Sequence, residues 1–142
     1  MEELQELRTF IEQGRYPEAL VLLGEMEEMS YSDKLHKIES FLQILLLHLI
    51  KQQAEKRSTK SWEYSIRNAV REIDRSNKRR KAGGYYLSRM ELTKAIEEVF
   101  QDALERAALE AFGGAYNAPD LADMIDEKEI KEQALHMILE AQ

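Results

Sequence analysis

Residues 41–50 read FLQILLLHLI, and how these ten positions are read decides the fold. Only Gln43 and His48 are polar, so the run lacks the alternation of a half-exposed strand. Leu35, Ile38, Leu42, Leu45 and Leu49 fall at helical spacing, with Phe41, Ile44, Leu46, Leu47 and Ile50 filling the other faces. A helix that is apolar all round must be enclosed by other helices. Ten residues is about half of the ~20 that a membrane span requires, so the run is expected to be a buried core helix, starting near Ser32 and ending near Lys56.

Working outward toward the N-terminus, residues 2–13 place Leu4, Leu7, Phe10 and Ile11 on one face, and Gly14 supplies a stop. Pro17 suits a first helical turn, and Leu20, Val21 and Leu23 carry a second short helix to about Met29, making a hairpin with the first. The stretch GRYPEALVLL resembles the opening of a tetratricopeptide second helix, but nothing similar returns about 34 residues later, so no solenoid is expected. The opening MEELQELRTF lacks the positive flank and apolar block of a signal peptide.

Toward the C-terminus, residues 58–61 give a turn and an N-cap, assigned to Ser61. Trp62, Ile66, Ala69, Val70 and Ile73 then form the inner face of a fourth helix, broken at residues 78–84. Ser88 with Glu91 spells a capping box for a long fifth helix through Leu92, Ile96, Val99, Phe100, Ala103, Leu104 and Ala107. The glycine pairs at 83 and 113 read as helix C-caps. After a loop containing Pro119, Asp126 and Glu129 repeat the cap pattern and start a last helix with Ile130, Ala134, Met137 and Ile138 inside. The fold class is all-α, a single compact bundle of five or six helices around a buried central one. It is expected to be one domain over 1–142, with an N-terminal hairpin at 1–30 and a core at 31–142.

Composition narrows the chemistry. With no cysteine among 142 residues there is no disulfide, thiolate metal site or cysteine nucleophile, which suits a cytoplasmic protein. No Gly-rich phosphate loop precedes a helix, and there is no His-Glu-x-x-His or calcium loop. Glu132, His136 and Glu140 stand at four-residue steps but would need ligands from other helices, so no metal, cofactor or catalytic residue is expected. His48, with Gln52 one turn on, reads as a core histidine donating a structural hydrogen bond to a carboxylate or carbonyl.

The charge distribution is more informative. The net charge is −7, yet residues 56–81 carry +7 and the remainder −14. Arg67, Arg71, Arg75 and Lys78 share one face of the fourth helix, where like charges repel by a few tenths of a kcal/mol per pair, about 0.2–0.5. Glu63, Asp74 and carboxylates on adjacent helices are one way to neutralise them. The other is an acidic partner, for which Arg57 and Lys60 extend the basic set. A nucleic acid ranks below a protein, because no aromatic residue is expected among the basic ones and the rest of the surface is acidic. The split of charge also permits a homodimer in which a basic helix meets an acidic face.

Taken together, the run ending in His48 and Lys51, then Arg57, Ser61, Trp62 and Arg67, resembles the family catalogued as domain of unknown function twenty-nine, common in cyanobacteria. The resemblance implies a helical cytoplasmic domain and supplies no catalytic residues. Three functions follow in order: a non-catalytic protein-interaction module engaging an acidic partner through the basic helix; a nucleic-acid-binding or antitoxin-like regulator; and a small enzyme centred on His48 and Arg57. Trp62 is expected to be a buried anchor for the fourth helix on the central one, with a partner for its indole N–H.

Overall fold

Six α-helices and no strand make up the described residues, 2–79 and 83–142, of this computed structural model. They are α1 Glu2–Glu12, α2 Tyr16–Glu55, α3 Lys60–Asn77, α4 Arg89–Glu110, α5 Ala118–Ala122 and α6 Glu127–Ala141, with a 3-10 turn at Ala111–Gly114. The all-α class expected from periodicity is what the chain adopts, although the helices are divided differently. The second and third expected helices are one continuous helix, α2, of 40 residues. The junction at residues 30–33 holds serines and an aspartate but no proline or glycine, so nothing forces the backbone out of helical geometry there. A helix not foreseen takes its place in the count. In the loop around Pro119, Asn117 Oδ1 accepts from Asp120 N at 2.9 Å and starts α5, with proline in its first turn.

Two compact units divide the chain, residues 1–36 and 37–142. The first is a hairpin of α1 with the beginning of α2. Gly14, at φ +72, and the Arg15 N–H, donating to Phe10 O at 2.7 Å, end α1, and the Arg15 guanidinium lies 4.6 Å from the Phe10 ring centre. Ala19 is the one buried apolar residue among the described residues of this unit, and α1 buries none.

The second unit holds the core. Leu42, Leu45, Leu46 and Ile50 are fully buried, and Leu47 and Leu49 nearly so. Each such side chain contributes about 1.5–3 kcal/mol relative to exposure. The α6 helix packs on both α3 and α4, contributing Ile130, Ala134 and Ile138. Side-chain pairs tie α2 to its neighbours: Arg106 Nη1 donates to Gln43 at 3.0 Å, and Gln53 Oε1 accepts from the Asp126 N–H at the start of α6. The Ser88–Glu91 capping box is complete at α4, while Asp126 accepts from Glu129 N at 3.1 Å as the cap of α6.

Past Asn77 the chain turns back on itself. Lys78 and Tyr85 form an isolated antiparallel bridge, Arg79 N–H donates to Gly84 O at 2.9 Å, and Tyr86 N–H donates to Asn77 O at 2.8 Å. Gly83 and Gly84, both at positive φ, are therefore turn residues of this short hairpin and not the C-cap of α3, which has already ended. Of the expected break at 78–84, residues 80–82 lie outside the described residues, as does Met1.

Candidate functional site

The side chains singled out in the sequence separate into two groups on the second unit. One surrounds Trp62 where α2 hands over to α3. Helix α2 ends with Lys56 at φ +55, and Thr59, in extended conformation, begins α3 by accepting from Trp62 N at 3.1 Å. Thr59 and not Ser61 is thus the N-cap. Ser61 already lies inside the first turn, where its hydroxyl is exposed.

Trp62 is half-buried, not the fully enclosed anchor expected. Two cations approach its ring, with Lys51 Nζ 4.6 Å and the Arg57 guanidinium 4.7 Å from its centre. Its indole N–H, which lies in the ring plane away from these cations, has no hydrogen-bond partner among the described residues. Each cation is also held by a carboxylate. Lys51, only 6% exposed, reaches Glu110 Oε1 at 3.0 Å, and Arg57 Nε reaches Glu55 Oε1 at 2.9 Å. The other oxygen of Glu55 accepts from the Phe112 N–H at 3.4 Å, and Phe112, like Lys56, is a non-glycine residue at positive φ. One carboxylate therefore links the ends of two helices, each finishing in a left-handed residue. Burying Lys51 is tolerable only while Glu110 and the indole face compensate its charge.

His48 lies close to this group but is not bonded into it. Its Nδ1 is buried without a hydrogen-bond partner, so the structural hydrogen bond expected for a core histidine is not made at that atom. Burial pushes its pKa below 6.5. Lys51 and Arg106 act in the same direction, and Glu110 opposes them. Gln52 shares its face of α2, four residues on, but its side chain donates to Ser58 Oγ at 2.8 Å. Arg57, committed to Glu55 and Trp62, is occupied at the helix junction.

The second group is the outer face of α3. Lys60, Tyr64, Arg67, Arg71, Arg75 and Lys78 follow one another at steps of three or four residues and all are exposed. The core residues Ile66, Ala69 and Ile73 occupy the opposite face, so the stripe is a direct consequence of the helical period. Neutralisation is partial and comes from α3 itself. Arg75 pairs with Glu72 at 3.1 Å and Lys78 with Asp74 at 3.5 Å. Among the described residues, Lys60, Arg67 and Arg71 have no carboxylate within 4.0 Å, and Glu63 does not reach Arg67. Glu140 lines a shallow groove with Arg67 and Arg71 but pairs with His136 at 3.1 Å.

Tyr64, 58% exposed, sits inside this stripe, contrary to the expectation that no aromatic residue interleaves with the basic ones. Its spacing, four after Lys60 and three before Arg67, was available in the sequence. Glu110, 59 residues from the lysine it neutralises, left no such signal. Asn77 is a further residue that the sequence did not mark. It is fully buried at the end of α3, where its Oδ1 accepts from Leu87 N at 2.8 Å and fixes the return hairpin.

The arrangement is an all-α domain with a cation–indole–cation junction and a basic outer helix. The chain belongs to the family described as Domain of unknown function DUF29, which matches over residues 17–133 and so leaves α1 outside. No curated protein and no solved structure matches it.

Proposed function

We propose that this protein is a non-catalytic, cytoplasmic interaction module that engages an acidic protein surface through the outer face of α3. The observation that carries this reading is the trio Lys60, Arg67 and Arg71, exposed and without carboxylate partners among the described residues, around the exposed ring of Tyr64. Arginine and tyrosine suit such a role: arginine brings charge and several hydrogen-bond donors, and tyrosine a large contact area with little side-chain flexibility to lose. No helix among the described residues is long and apolar enough to cross a membrane, which is compatible with an aqueous partner.

Tyr64 also favours a second reading, single-stranded nucleic acid, in which the ring stacks on a base and the cations follow the phosphates. Titrating the full chain with a poly-glutamate peptide and with a single-stranded oligonucleotide separates the two. Tighter, salt-sensitive binding of the peptide, lost in Arg67→Glu/Arg71→Glu, supports the protein partner. Tighter oligonucleotide binding that weakens in Tyr64→Ala moves the assignment to nucleic acid. Binding of both probes unchanged by the double reversal overturns the role of α3.

A further inference from the structure

The hairpin of the first unit contains a groove of about 400 Å³ between α1 and the start of α2. Its floor is apolar, with Phe10, Val21 and Leu22, and three carboxylates, Glu6, Glu18 and Glu25, stand on its rim. Glu18 lies 3.8 Å from Arg15, while Glu6 and Glu25 have no cation within 4.0 Å among the described residues. Over residues 1–36 the chain carries nine carboxylates and three Lys or Arg. An occupant that fits must therefore bring an apolar or aromatic side chain flanked by cations.

The stripe on α3 has this pattern. Lys60 and Arg67 are seven residues apart with Tyr64 between them, and Glu18 and Glu25 are seven apart with Val21 and Leu22 between them. On two helices these intervals are equal, about 10.5 Å at 1.5 Å per residue, so each cation can face a carboxylate while the tyrosine ring faces the apolar floor. We propose that the acidic groove of one copy receives the α3 stripe of a second copy, joining the two into a dimer. This rests on the reading of α3 as a surface for acidic partners and names that partner as the hairpin of another chain. Tyr64 is the anchor, Lys60 and Arg67 set the register, and Arg71 meets the excess negative charge of the hairpin. The contact also covers apolar side chains of the hairpin that are otherwise open to water, among them Val21 at 65% exposure.

The test is sedimentation of the full chain at low salt, with circular dichroism showing that each variant folds. The wild-type chain is expected to be a dimer that dissociates as salt rises. Lys60→Glu/Arg67→Glu and Glu18→Lys/Glu25→Lys should each weaken dimerisation by on the order of tenfold or more, and the four substitutions combined in one chain should restore it. A wild-type monomer at high micromolar concentration, a dimer indifferent to either reversal, or a combined variant that stays monomeric overturns the proposal. Poly-glutamate binding provides the separate readout. If the chain is monomeric yet binds the peptide through Arg67 and Arg71, the dimer falls and the interaction role of α3 stands. If peptide binding is also unaffected by reversal of these arginines, both fall.

Discussion

The described residues of 2–36 and of 37–142 are both predominantly helical, yet they relate to their apolar side chains in opposite ways. In the second unit, Leu42, Leu45 and Leu46 have no exposed surface, and the helices around them are joined by buried or partly buried polar pairs. In the first, Leu20 and Val21 are 68% and 65% exposed although they stand at comparable helical spacing. The same local pattern thus yields a core in one place and an open surface in the other. One short helix and the first turns of another can enclose little, whereas α3, α4 and α6 together supply enough surface to surround a fourth.

The largest expected effect sharpens this contrast. Leu46→Ala should destabilise the chain by about 2–5 kcal/mol in a denaturant titration, because the removed atoms leave a cavity among fixed neighbours. Next comes a polar residue that only the second unit could hold. Asn77→Ala strands the buried Leu87 N–H and should cost about 1–3 kcal/mol, with the loss appearing as faster amide exchange in the hairpin at residues 83–88.

Smaller effects separate the junction from the core. Thr59→Ala removes the cap that bonds Trp62 N and should cost about 1 kcal/mol, while Ser61→Ala should stay within about 0.5 kcal/mol. The reverse order in thermal melts would return the cap to Ser61. His48 gives a pH signature. Its folded-state pKa lies below 6.5, so the folded protein binds this proton less readily than the unfolded chain. The neutral ring favours folding above 6.5, and that contribution is lost as pH falls through the lowered value. Wild type should therefore lose stability between neutral and mildly acidic pH by an increment that His48→Gln does not show, read as the difference between their denaturation midpoints.

The smallest expected change is the one that breaks the comparison if it is not small. Leu20→Ala should alter stability by no more than about 0.5 kcal/mol under conditions that keep the chain monomeric. A loss on the scale of Leu46→Ala would mean that the hairpin has a core of its own.

By itself the sequence determined the helical class, the buried faces of α3, α4 and α6 and the placement of the basic stripe. All three depend on the period of 3.6 residues, which is a local property. It also marked the cap at Ser88, because a capping box is complete within four residues. Helix division was less legible: residues 30–33 offer cap-forming side chains, and whether such a side chain caps or simply rides along a continuous helix depends on what surrounds it. Tertiary structure alone decided that Glu110 neutralises Lys51, that Trp62 meets both Lys51 and Arg57, and that Asn77 is buried to hold Leu87. Each of these brings together groups from different elements, and what a buried charge or amide requires is set by the neighbours that the completed fold places beside it.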